Sequence, residues 1–317
     1  MRTRFLLLLL CCLILIGCLP RKMTPPEKPP GKITLIYTQD SLLYLPLYAV
    51  LKKNYDKKHN FNLKLQKVDT FTFSEETAEH LLYLGGPEEV FYGYQQEKKL
   101  GILSKIAAQS GHLLLSRSSQ ETSWPEMKNR VIISAGSGKL ASLALEYTLR
   151  KHNLKPFLDL HLINNLPEKL RPAVFQSGSG QFILIEEPEA TLLEQAKAGF
   201  VIKSIAQEVN NLPTVFFTTK KQYFPETDQA FNLALQAGLE LIAQQTPEEI
   251  ANWAVEFFPG SSEKTLIRGI CRYKTLGCWP TTPEITSQEL KVIQQLLLET
   301  KELTAPLPLA ELLLPKS

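Results

Sequence analysis

The chain reads as an α/β protein built in two lobes and finished by helices, on three observations. Through the first two thirds, short apolar runs alternate with stretches whose apolar residues recur at helical spacing. In the last third the strand-like runs disappear and amphipathic helices remain. Two β-rich stretches, Gly111 to Arg117 and Pro213 to Thr219, each lead into polar residues and stand where a chain would cross from one α/β body to a second and return. With 317 residues there is material for about two domains. Hydrophobic residues at 44% and charged residues at 21% exclude wholesale disorder, and a formal charge of only +3 gives no electrostatic ground for nucleic-acid binding.

Met1 to Arg4 is basic, Phe5 to Ile16 is unbroken apolar, and Gly17-Cys18 closes the run. That run is too short to span a bilayer comfortably and has the layout of an export signal. Leu15-Ile16-Gly17-Cys18 also resembles a bacterial lipobox. Residues 1–17 are therefore expected to be a lipoprotein signal peptide, with Cys18 acylated; the alternative is an ordinary signal with an incidental cysteine. Residues 18–31 carry Pro20, Pro25, Pro26, Pro29 and Pro30 among Arg and Lys, which suits an extended, solvated tether.

The folded part begins at Lys32. Ile33 to Tyr37 is strand-like, Leu47, Val50, Leu51 and Tyr55 share a helical stripe, and Phe61 to Val68 alternates with period two; such a unit implies a parallel strand pair. A second unit pairs Val131 to Ser134 with the stripe Leu140, Leu143, Ala144, Tyr147 and Thr148, stopped by Asn153 and Pro156. In the third, the strand Phe182 to Ile185 precedes a helix over Pro188 to Ala198, Gly199 as its stop, and the strand Val201 to Ile205. Phe231, Ala234, Leu235, Gly238, Leu241 and Ile242 form one long stripe, and Thr246 to Glu249 and Thr286 to Glu289 are capping boxes opening two more helices. The expected division is 32–112 with 219–317 as the first lobe and 113–218 as the second.

Of five cysteines, Cys11, Cys12 and Cys18 belong to the leader and its anchor, leaving Cys271 and Cys278. Outside the cytoplasm this pair, separated by a short Gly-containing loop, is expected to form a disulfide; two buried thiols are the alternative. No metal site is expected, because no third Cys or His lies near them and the five histidines are scattered.

Ligands of open α/β sheets bind beyond the carboxyl ends of strands. Three such loops stand out: Thr38-Gln39-Asp40-Ser41-Leu42-Leu43-Tyr44, Ser134-Ala135-Gly136-Ser137-Gly138, and Glu186-Glu187-Pro188. The second opens a helix with free amides and hydroxyls, suited to an anion or a polar edge; it is not a nucleotide P-loop, since Leu140 and Ile133 stand where that motif needs a hydroxyl and a glycine. Each loop also has a purely structural explanation, as a capped turn or a solvated helix start. His112, near a crossing stretch, reads as structural. Tyr44, Tyr48, Tyr83, Phe91, Tyr92 and Tyr94 make the first lobe aromatic-rich, mostly for its core.

Several segments resemble, in order, the substrate-binding proteins of ABC importers for nitrate, sulfonate and taurine, and thiamine-pyrimidine precursors. They are Pro46-Leu47-Tyr48-Ala49, Phe61-Asn62-Leu63, Gly111-His112-Leu113-Leu114, Trp124 to Lys128, Gly136-Ser137-Gly138, Leu154-Lys155-Pro156, Glu186 to Ala190, and Trp279-Pro280. The resemblance implies a type II periplasmic-binding-protein fold: each lobe a mixed sheet flanked by helices, the lobes joined by two crossing strands. It further implies that Gln39, Asp40, Ser41, Leu42 and Tyr44, the Gly86-Pro87 turn, Gln109 and Ser110, Gly136 and Ser137, and Glu186 with Glu187 line a cleft. The chain departs from the family where Leu81 to Gly86 lacks an Asp and where Ile185 replaces an aromatic.

The function so implied is an extracytoplasmic, lipid-anchored, monomeric binding protein without cofactor or enzymatic activity. It would deliver a small molecule to an ABC permease and its ATPase by hinge closure. Two carboxylates favour a pyrimidine or other amine-bearing heterocycle. The alternatives are an anion of the sulfonate or nitrate type, a sensor lipoprotein of the same fold, and an enzyme, which would need a Cys and His constellation in the cleft.

Overall fold

A computed structural model describes residues 30–69, 80–120, 122–220 and 224–314. The leader, most of the tether and Cys18 lie outside the described residues. In chain order the strands are β1 (Gly31–Tyr37), β2 (Phe61–Lys67), β3 (His80–Gly85), β4 (Leu100–Lys105), β5 (Leu113–Ser116), β6 (Val131–Ile133), β7 (His161–Ile163), β8 (Phe182–Ile185), β9 (Phe200–Ser204) and β10 (Phe216–Lys220). The helices are α1 (Leu45–Lys52), α2 (Tyr55–Lys58), α3 (Glu88–Gln95), α4 (Leu140–Lys151), α5 (Arg171–Gln176), α6 (Glu189–Gln195), α7 (Ile205–Glu208), α8 (Pro225–Gln244), α9 (Pro247–Ala254), α10 (Glu263–Thr275) and α11 (Ser287–Glu299).

The strands form two sheets of one plan, ordered β2-β1-β3-β10-β4 and β7-β6-β8-β5-β9. In each, the first strand pairs in parallel with two followers, and a strand arriving from the other sheet inserts antiparallel beside the third. The alternating pattern of the first unit gives the expected parallel pair, Ile33 against Leu63 and Leu35 against Leu65. The third unit differs: β8 and β9 do not pair, because β5 lies between them. The runs Leu113–Ser116 and Phe182–Ile185 are buried at every residue, as strands covered on both faces must be.

The visiting strands also move the crossings. β5 belongs wholly to the second sheet and β10 wholly to the first. The chain passes between them over 106–112 and 205–215, so the return precedes Phe216 rather than running through Thr219, and 216–218 belong with the first lobe.

Both expected capping boxes are present, at Thr246 with Glu249 and Thr286 with Glu289. α8 lies against α1, and Gly238 permits the approach: a Cβ there would stand 2.3 Å from the Pro46 carbonyl oxygen. The expected disulfide does not form. Cys271 is a free thiol on the outer face of α10, whereas Cys278 is free and buried, its Sγ directed at the Ser110 carbonyl oxygen 3.9 Å away. Gly277, with φ of 64°, turns the chain inward just before Cys278 and separates the two thiols.

Candidate functional site

The carboxyl ends of β1, β3, β6, β7 and β8 face one another across the gap between the sheets. After β1, Ser41 adopts extended backbone angles and caps a short 3-10 turn, its Oγ accepting the Leu43 N–H at 3.2 Å. The same hydroxyl donates to Glu186 Oε2 at 2.7 Å, joining the end of β1 to the end of β8. On its other side Glu186 Oε1 is 3.1 Å from His112 Nδ1, in the outgoing passage. Burial alone would raise the Glu186 carboxyl; the neighbouring imidazole and the hydrogen bonds from His112 and Ser41 overcome it and hold the group below the usual range. Glu186 is therefore a fixed carboxylate.

Above it lies a cavity of about 540 Å3, with Gln39, Asp40, His112, Glu168, Arg171 and Glu189 in its wall. A smaller chamber of about 230 Å3 shares several of these residues and reaches deeper, to Tyr44, Gly86, Glu88, Gly136, Ser137 and Thr214. Burial pushes Glu168 up despite Arg171, and lifts Glu189 to about 7 with repulsion from Glu186 and Glu168 added. The Tyr44 hydroxyl is pushed far up by burial, then by Glu186, and remains a proton donor. At the rim Lys67 pairs with Asp40 at 2.5 Å, and Lys169 of the second lobe reaches Asp69 of the first at 2.6 Å. Deeper, Lys139 holds Glu89 at 2.6 Å and the Tyr92 hydroxyl donates to the Gly138 carbonyl oxygen at 2.9 Å. Both lobes thus contribute hydrogen-bonding groups to one space while touching each other around it.

Of the residues expected to line a cleft, Gln39, Asp40, Tyr44, Gly86, Gly136, Ser137 and Glu186 do so. Ser41 stands behind the wall and holds Glu186. Leu42 is fully buried in the first lobe's core, and Pro87 is buried at the start of α3. Gln109 and Ser110 lie within the outgoing passage and outside both cavity walls, and Ser110 Oγ accepts the His112 N–H at 3.3 Å. Glu187 turns away from the cavity. Its carboxylate is fully buried, accepts from the Thr191 N–H at 3.0 Å and hydroxyl at 3.1 Å, and pairs with Arg272 on α10.

Sequence reasoning missed Glu88, Lys139, Glu168, Arg171, Glu189 and Thr214, and read His112 as structural. Glu168 and Arg171 had a signal, the polar turn Pro167 to Pro172 after β7, but the three residues of β7 were too short to recognise. Among the described residues no cluster of His, Cys, Asp or Glu is arranged to hold a metal ion. No helix among them is long and apolar enough to cross a membrane.

No known protein-family profile matches the chain. YtlA of Bacillus subtilis (strain 168), named as a binding protein, is 23% identical over 293 residues, spanning 89% of this chain and 87% of YtlA. The ligand-binding component of an ABC-type import system from Staphylococcus aureus, with zinc bound, superposes with a TM-score of 0.71 at 12% identity over 90% of this chain and 97% of that one. The alkanesulfonate-binding protein SsuA of Xanthomonas axonopodis pv. citri, bound to MOPS, gives 0.68 at 13% identity over 90% and 99%. An enzyme shares the architecture too: the desulfurization enzyme DSZB gives 0.65 at 15% identity over 89% and 96%. What these likenesses establish, together with the two mixed sheets, is the type II periplasmic-binding-protein fold.

Proposed function

We propose that the protein is an extracytoplasmic solute-binding lipoprotein, anchored through Cys18, that closes its lobes on a small molecule and presents it to an ABC permease and its ATPase. One observation carries the reading: polar side chains of both lobes converge on a single cavity, and behind its wall Ser41 of the first lobe donates to Glu186 of the second. A hinge driven by a ligand needs contacts that exist only when the lobes meet, and these are of that kind. The import-system proteins among the similar structures support the setting. Binding rather than catalysis is the reading for the cavity, on the likeness to the binding components of import systems.

The ligand proposed is a neutral or amine-bearing molecule such as an aminopyrimidine. Glu168 and Glu189 form no ion pair among the described residues and would accept its N–H groups. A sulfonate- or nitrate-type anion is the second reading, favoured by Arg171 in the same wall. The test is native mass spectrometry of the protein purified from its own cells, followed by small-angle scattering with the ligand recovered. A retained small molecule whose removal expands the protein is expected. A protein that retains none, and whose radius no pyrimidine, amine or sulfonate alters, would refute the reading.

A further inference from the structure

Resting on the lipid-anchored reading, we propose that the turn Lys155 to Leu158 is a membrane-contact element that dips Phe157 and Leu158 into the headgroup layer of an anionic bilayer. β7 runs toward the cavity, so the turn before it stands at the opposite end of the second sheet. Leu158, 75% exposed, and Phe157, 53% exposed, are the two most exposed large apolar side chains among the described residues. The turn that displays them is closely held. The Lys155 carbonyl oxygen accepts the Leu158 N–H at 3.2 Å and the Asp159 N–H at 2.8 Å, with Pro156 and Phe157 at the centre. Phe157 has φ of 66°, a conformation for which Gly or Asn is the ordinary residue. Elsewhere the chain follows that rule: of nine described non-glycine residues at positive φ, five are Asn, and Phe157 alone is apolar. A half-exposed ring that joins none of the cores, on a backbone it strains, is nothing the fold requires.

The second observation is charge. Residues 128–130 run beside the turn: the Asn129 N–H donates to the Asp159 carbonyl oxygen at 2.6 Å, and the His161 N–H to that of Arg130 at 2.9 Å. The nearby acids are engaged. Asp159 accepts the Lys155 N–H at 2.8 Å and has Lys128 Nζ at 3.3 Å, and Glu126 accepts the Ser123 N–H at 2.6 Å and hydroxyl at 2.7 Å. Lys155 and Arg130 are exposed, and their side chains form no ion pair among the described residues. Apolar side chains set among unpaired cations complement the layer where lipid phosphates meet hydrocarbon. A protein partner would need about 800 Å2 from each side, whereas the apolar exposure here is confined to one turn. Alone the contact is weak, but an anchor at Cys18 makes it intramolecular, and a weak contact then suffices.

The test uses the full-length acylated protein in vesicles of phosphatidylcholine alone or mixed with phosphatidylglycerol, with an environment-sensitive dye at position 158 (L158C with C271S). A blue-shifted emission about twofold brighter is expected only with phosphatidylglycerol, and about 0.5 M salt should reverse it. Lys155→Gln should lower the ratio of docked to undocked protein about fivefold. Phe157→Asn should abolish the response yet raise the melting temperature, because the turn keeps its bonds and loses its strain; a ring that served the fold would lower it. Equal emission on the two vesicles, a destabilised Phe157→Asn variant, or a response that needs the permease in the membrane overturns the proposal. In those cases an acylated Cys18 and closure on a retained solute leave the anchored binding reading standing, whereas mass spectrometry showing Cys18 unacylated removes the anchor and the contact together.

Discussion

Replacing Arg272 with Met tests how the second lobe is fastened to the helices of the first. Arg272 sits on α10 with its side chain 19% exposed, pairs with the fully buried Glu187 at the end of β8, and reaches Glu194 Oε2 on α6 at 2.8 Å. Burial pushes the Glu187 carboxyl up, and the guanidinium beside it and the Thr191 donors pull it back. Without the guanidinium a buried charge keeps only the Thr191 donors, so the substitution should cost about 3–5 kcal/mol. Glu187→Gln preserves the shape and the Thr191 contact and should cost about 1–3 kcal/mol. The double variant removes both charges, so its loss should fall below the sum by about 2 kcal/mol, an interaction term typical of residues in direct contact. Because the folded Glu187 carboxyl lies above its ordinary value, its ionisation opposes folding; Arg272→Met should therefore regain stability as pH falls through the carboxyl range. Urea unfolding of the four proteins at constant m measures all of this. A single Arg272→Met variant within about 0.5 kcal/mol of wild type, or strict additivity, would refute the argument.

Three further outcomes follow from the same structure. Glu189 takes up its proton at about 7 when folded against an ordinary value of 4.5, so its share of stability is greatest below 4.5, declines through that window, and is lost above 7. That decline amounts to about 3 kcal/mol at most, and Glu189→Gln should flatten it in a pH series of thermal unfolding; an unchanged profile counts against the assignment. Gly238→Ala drives a Cβ against the Pro46 carbonyl and should lower stability by about 1–3 kcal/mol despite better helix propensity; a raised melting temperature would contradict the close contact. Under native conditions an alkylating reagent should modify Cys271 and spare Cys278 until denaturant is added; a Cys271–Cys278 disulfide peptide in a non-reducing map would overturn the free-thiol description.

The strands that were legible in the sequence are those whose apolar runs are long enough to show a period. Ile33 to Tyr37, Phe61 to Val68 and Phe182 to Ile185 are examples. β7 spans three residues and β3 opens on a histidine, so neither shows one. The helical end was legible because the Thr246 and Thr286 capping boxes are written in local chemistry. The placement of β5 between β8 and β9 is a long-range choice that no local pattern encodes. In the candidate site, Glu186 and Gln39 follow from the carboxyl-end rule. Glu187 shows its limit, since neighbouring residues of an extended chain point to opposite sides, and only the position of Arg272 decides which side is wet.

Trp279 gives the molecule its own optical gauge. Its indole N–H donates to the Leu43 carbonyl oxygen at 3.1 Å, and its ring meets edge-on that of Tyr273, whose hydroxyl accepts the Glu187 N–H at 2.8 Å and donates to the Gly111 carbonyl oxygen at 3.0 Å. The indole therefore touches the first lobe directly and, through a single phenol, the second lobe and the outgoing passage. With Trp124 and Trp253 exchanged for Phe, it becomes the sole strong emitter of the chain. Any swing of the halves must then alter its colour and brightness, with no dye attached.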